Sequence, residues 1–182
     1  IEEVTAASYG IEAGTISWSS AARQVEELHQ AYAASGYGHG HRVGLLMENR
    51  PAFLLHWLAL NGLGVSVVPI NVEMRAAELE YLIDHSEIAL AVVLPGRFDA
   101  MRAAVAAAGA RTRVVELGAH YFPAPASVAP DSSPPGIDTE CALLYTSGTT
   151  GRPKGCRLSN DYFLHTGDWY TGLGGHCPVR PG

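Results

Sequence analysis

The chain has 182 residues, 47% hydrophobic and 16% charged, with a formal net charge of −6. This balance suits a well-packed α/β body and excludes an intrinsically disordered chain. Lys and Arg are too scattered to form a basic stripe for nucleic acid, and His56, Asn61 and nearby glycines break the apolar run Phe53 to Val68, so no segment spans a bilayer.

Thr15-Ile16-Ser17-Trp18 reads as a short strand, with Ser19 or Ser20 capping the helix that follows. In that helix Ala22, Val25, Leu28 and Tyr32 recur at helical spacing, and Gly36 closes it. Arg42 to Met47 is an apolar strand. Asn49 then caps a helix that carries Pro51 in its first turn and runs to about Asn61. That helix is apolar nearly all round, which predicts burial. Gly62 and Gly64 end it, and Val65 to Ile70 reads as a strand covered on both faces.

An amphipathic helix follows over Ala76 to His85, with Leu79, Leu82 and Ile83 inward, then a strand from Ile88 to Leu94. A helix over Phe98 to Ala108 and a strand near Arg113 to Leu117 complete the alternation. Phe122 to Gly136 is proline-rich and patternless, so it reads as a surface linker. Cys141 to Tyr145 is a strand, Cys156 to Leu158 is short and extended, and Asn160 caps a last helix towards Tyr170. Strands alternating with helices predict an α/β fold, a mostly parallel sheet flanked by helices. The expected organisation is a body over 15–118, a proline-rich linker over 119–139, and a strand, loop and helix over 140–182.

Several residues carry a functional reading beside a structural one. His39 and His41 form an HxH pair with no third ligand in view, so a solvated loop is the better reading and no metal site is assigned. Cys141, Cys156 and Cys177 are widely spaced, which points to reduced thiols in a cytoplasmic protein, with Cys156 expected to be buried and inert. Glu140, Asp161 and Asp168 read as solvated carboxylates, and Trp169 and Tyr170 as residues packing their helix on the sheet. Gly172-Leu173-Gly174-Gly175 follows a helix rather than a strand, so it is no dinucleotide fingerprint. An opening residue other than Met and a tail lacking a closing element suggest a fragment.

The most informative stretch is Leu143-Leu144-Tyr145-Thr146-Ser147-Gly148-Thr149-Thr150-Gly151-Arg152-Pro153-Lys154-Gly155. An apolar run leads into a loop of hydroxyl residues and glycines closed by one lysine. Glycines permit close backbone approach, and the amides and hydroxyls of Thr146, Ser147, Thr149 and Thr150 supply donors. Successive amides can form an anion-binding concavity, with Lys154 adding charge at its rim. A Walker A loop would carry Ser or Thr directly after the lysine; Gly155 stands there, so this is a different phosphate loop.

Leu144 to Gly155 resembles, over its full length, the AMP-binding signature of the adenylate-forming superfamily of acyl-CoA synthetases, peptide-synthetase adenylation domains and beetle-type luciferases. Arg42 to Pro51 and Val67-Val68-Pro69-Ile70-Asn71 resemble upstream units in the same order. The resemblance implies the first part of the large N-terminal domain of an acyl-CoA synthetase-like enzyme. It implies an AMP-forming acid–thiol ligase that makes an acyl-adenylate from a carboxylic acid and ATP, then a thioester with coenzyme A. Thr146, Ser147, Gly148, Thr149, Thr150, Gly151 and Lys154 would bind the phosphates, with Lys154 also catalytic. The adenine segment, the ribose-binding aspartate, the Mg2+ ligand and a C-terminal catalytic lysine would lie beyond this stretch, so the chain alone is expected to be inactive. Many members carry histidine where Asn160 stands. A non-catalytic nucleotide-binding remnant and a peptide-synthetase adenylation domain are the alternatives, and a homodimer is the assembly state to test.

Overall fold

The computed structural model describes residues 16–118, 123–146 and 152–173. Helix α1 spans Trp18–Ala34, β1 Arg42–Leu46, α2 Pro51–Asn61, β2 Ser66–Ile70, α3 Ala76–Ser86, β3 Leu90–Val93, α4 Phe98–Ala107 and β4 Arg113–Glu116. Beyond them come β5, Glu140–Thr146, β6, Lys154–Ser159, and α5, Asn160–Gly172. The described strands form one six-stranded sheet in the order β4-β3-β1-β2-β5-β6. All neighbours are parallel except β5 and β6.

Period-two alternation along buried strands divides the core. Val43 and Leu45 of β1 join Val67, Leu90 and Val92 beneath α1 and α2, with Tyr32 and Leu60. Leu46 joins Val68, Ile70, Ala91 and Val93 beneath α3 and α4, with Leu79, Leu82, Ile83 and Met101. Gly44 has no side chain because a Cβ there would meet the Cδ1 atoms of Ile70 and Ile88 at 2.8 Å. Pairing between β2 and β5 is thin, Val67 opposite Ala142. Asn61 reinforces it: its side-chain amide donates to the carbonyls of Val65 and Cys141 at 2.9 and 3.0 Å, and the Cys141 thiol donates back to Asn61 Oδ1 at 3.0 Å.

Several sequence expectations change. Ile16 to Trp18 makes no strand. Ser17 accepts from the Ser20 amide at 3.2 Å and starts a helix at Trp18, because no described strand lies alongside to pair with it. Pro51 begins α2 as expected, but Arg50, not Asn49, occupies the cap position. The all-round apolar α2 is only half covered: Leu54 and Leu58, one turn apart, are 62% and 58% exposed, since one face suffices to reach the sheet and α1. Ser159 caps α5 by accepting from the Tyr162 amide at 3.3 Å, while Asn160 Nδ2 donates to the Gly136 carbonyl at 2.9 Å. No described residue of α5 is buried, and Trp169 and Tyr170 lie 61% and 45% exposed rather than on the sheet. The helix follows the edge strand β6 and touches the body through Phe163, edge-on to Trp57 at 5.8 Å.

Residues 123–139 replace the helix that a parallel crossover normally supplies. This segment runs from the β4 side to the start of β5 across the amino ends of β1 and β2. Tyr37 donates its hydroxyl to the Ala124 carbonyl at 2.7 Å, and the Asp131 amide donates to the His39 carbonyl at 2.8 Å. His41 Nε2 bonds the Val128 carbonyl at 3.0 Å and His39 Nδ1 the Ser133 carbonyl at 2.8 Å. The HxH pair thus ties down a strap. Gly64, at φ +72°, lets the strap pass: a Cβ there would stand 2.7 Å from Pro135 Cβ.

Candidate functional site

Parallel strands bring β1, β2 and β5 to one carboxyl edge, where α/β sheets place their ligands. Thr146 ends β5 at that edge. The chain then returns antiparallel, and Lys154 starts β6 directly opposite Thr146 as the last pair of the ladder. The strands flanking the candidate phosphate loop are therefore antiparallel neighbours, so Lys154 stands on a strand with no helix dipole behind it. Sequence reasoning saw the extended stretch at Cys156 to Leu158 but not its pairing with β5. Thr146 and Lys154 are both exposed. Ser147, Gly148, Thr149, Thr150 and Gly151 lie outside the described residues. Among the described residues no carboxylate comes within ion-pair distance of Lys154, leaving its charge free for an anion.

The site has a rear support that sequence reasoning read as solvated. Glu140, at the start of β5, is 13% exposed at its side chain; Arg42 Nε of β1 donates to it at 2.7 Å and Arg157 Nε of β6 at 2.5 Å. Arg42 also donates to the Ser86 carbonyl at 3.0 Å. One carboxylate thus joins the central sheet to both strands of the hairpin. Burial alone would raise the Glu140 carboxyl, but its hydrogen bonds, chiefly from Arg42, outweigh that and hold it below the ordinary carboxylate value. A depressed folded pKa means this stabilisation is full above the unfolded pKa and is lost as pH falls through the folded one. Glu140→Gln is expected to cost about 1–2 kcal/mol at pH 7, lowering the melting point by a few degrees. Calorimetry showing no shift would rule out that role. The signal in the sequence was an acid at the first position of a strand, which becomes informative only once Arg42 and Arg157 are known to converge on it.

Cys156 is exposed on the edge strand, against the expectation of burial, whereas Cys141 is buried and its thiol is pushed up by desolvation. Cys177 lies outside the described residues. Two residues of α3, Tyr81 and His85, reach the hairpin and were not singled out from sequence; their spacing of four was the available sign. No described helix is long and apolar enough to cross a membrane.

Comparison with known proteins agrees with this geometry. Feruloyl-CoA synthase of Amycolatopsis sp is 32% identical over 145 residues, covering 80% of this chain and 28% of that protein. Sulfoacetate–CoA ligase of Cupriavidus necator is 32% identical over 157 residues, covering 84% and 31%. The crystal structure of ATP-bound MatB from Rhodopseudomonas palustris superposes with a TM-score of 0.70 at 27% identity, over 88% of this chain and 33% of that one. A benzoate CoA ligase from Burkholderia xenovorans LB400, at 18% identity, shares the fold with the same TM-score of 0.70. The chain spans roughly a third or less of the length of these relatives. The family model described as AMP-binding enzyme matches residues 3–177. With a mostly parallel sheet, Thr146 and Lys154 paired at its carboxyl edge and a match over nearly its whole length, the chain belongs to the AMP-binding enzyme family.

Proposed function

We infer that the protein carrying this chain is an AMP-forming acid–thiol ligase. A carboxylate oxygen would bond to the α-phosphorus of ATP as the bond to pyrophosphate breaks. A coenzyme A thiolate would then bond to the acyl carbon and AMP would leave. The observation that carries this reading is the hairpin, which sets Lys154 opposite Thr146 at the carboxyl edge of the sheet with its charge uncommitted among the described residues. An exposed ammonium beside a hydroxyl suits an anionic triphosphate tail, so the residues present fit the nucleotide. In this chain Thr146 would donate to phosphate oxygens and Lys154 would stabilise charge building on the departing pyrophosphate. Ser147, Gly148, Thr149, Thr150 and Gly151 would supply further donors. Carboxylates elsewhere in the protein would hold Mg2+.

Coenzyme A is favoured over a peptidyl carrier as acceptor because the relatives named above are CoA synthases and ligases. ATP–pyrophosphate exchange by the complete gene product, tested against ferulate, sulfoacetate, carnitine and benzoate, is expected to proceed with at least one acid. A folded protein giving no exchange with any acid would overturn the reading. A cytoplasmic location and a homodimer are part of the same proposal, the latter checked by mass in solution.

A further inference from the structure

The phosphate loop has two stems, Tyr145-Thr146 at the end of β5 and Pro153-Lys154 at the start of β6, and α3 reaches both. Tyr81 donates its hydroxyl to the Pro153 carbonyl at 3.0 Å. His85, one turn further on, shares a 2.6 Å hydrogen bond through Nδ1 with the Tyr145 hydroxyl. The Tyr81 and His85 rings stack at 5.4 Å, His85 meets Tyr145 edge-on at 5.6 Å, and the Arg152 guanidinium lies 5.7 Å from the Tyr81 ring centre. Burial pushes the Tyr145 hydroxyl up to about 12, so it stays protonated at neutral pH and can serve as the donor to His85.

These contacts sit where the backbone has least to offer. The β5–β6 ladder ends at the pair Thr146 and Lys154, and Pro153 has no N–H to extend it. Its carbonyl belongs to the peptide that leads directly into Lys154, so the Tyr81 hydroxyl restrains the plane from which that lysine projects. His85 is exposed, so its bond to Tyr145 is not part of the apolar core. Two side chains four residues apart share one helix face, and here they reach one stem each.

Resting on the ligase reading above, we propose that α3 is the positioning element of the phosphate loop, with Tyr81 and His85 holding its two stems so that Lys154 keeps its aim during adenylation. Neither residue needs to touch a phosphate. The effect expected follows from geometry, because a displacement of order 1 Å at a charge-stabilising group costs up to about 10²-fold in rate.

The test uses Tyr81→Phe and His85→Ala in the complete gene product, read by pyrophosphate exchange and by hydrogen exchange of peptides covering residues 145–156. Each variant is expected to lose about tenfold in kcat, with the KM for the acid unchanged and a melting point close to wild type. Amides of the loop region should exchange several-fold faster while the rest of the protein does not change. Wild-type kcat in both variants would overturn the proposal, whatever the amides do. Losses of kcat that accompany a lowered melting point and faster exchange throughout the protein would overturn it too, as a general structural role. If the wild-type protein exchanges pyrophosphate with no acid, the ligase reading fails, and hydrogen exchange in the two variants still decides whether α3 holds the loop.

Discussion

Lys154→Ala is expected to slow pyrophosphate exchange by roughly 10²–10³-fold while raising the KM for ATP far less. The side chain is exposed at the first residue of β6, so its removal takes nothing from the core. A charge matched to the departing pyrophosphate acts more strongly in the transition state than in the ground state, and that difference appears in kcat. The side chain's distance from every described carboxylate strengthens the expectation, because no ion pair has to break before it can act. Lys154→Arg should recover part of the rate, since it keeps the charge but not the compact ammonium. Equal losses in affinity and turnover would make Lys154 a binding residue only.

The second expected result concerns acid. His56 lies in α2, 3% exposed, with Nδ1 sharing a 2.7 Å hydrogen bond with the hydroxyl of fully buried Tyr32. Desolvation lowers its pKa from 6.5 to about 4. The unfolded chain therefore takes up a proton at pH values where the folded protein still refuses it. Stability from this source is constant above the unfolded pKa, declines as pH falls below about 6.5, and levels off near 4. A difference of that size amounts to about 3 kcal/mol at the acid end. His41, also lowered by burial, pulls in the same direction, and so does Glu140 at lower pH. Denaturant midpoints of wild type and His56→Gln at pH 7 and pH 4.5 separate the contributions. The variant should be less stable at pH 7 but lose distinctly less on acidification; parallel losses in the two proteins would remove His56 as the cause.

Much of the architecture was legible because the informative periods are local. The apolar runs around Leu45, Val67 and Val92 mark strands covered on both faces, and Leu79, Leu82 and Ile83 mark an inward helix stripe. The family was legible because glycines and hydroxyl residues followed by one lysine, as in Leu144 to Gly155, make a pattern with few other physical uses. Other features were not. All-round hydrophobicity in α2 does not tell which stripe meets the sheet, so the exposure of Leu54 and Leu58 could not be foreseen. A short extended run at Cys156 looks the same whether it pairs parallel or antiparallel. Glu140 resembles any solvated acid until Arg42, 98 residues away in sequence, arrives beside it.

By itself the sequence determined the α/β alternation, the parallel core and, through the stretch Leu144 to Gly155, the family, because each depends on patterns set within a few residues. The tertiary structure decided the rest. It turned the loop into a hairpin that carries Lys154 on a strand, made a proline-rich stretch into a strap held by Tyr37, His39 and His41, and brought Tyr81 and His85 against both stems of the loop. The physical reason is that a short extended run does not say which strand it will pair with, and that the strap and α3 contacts join residues 60 or more positions apart, whose distances are set only by the closing of the sheet.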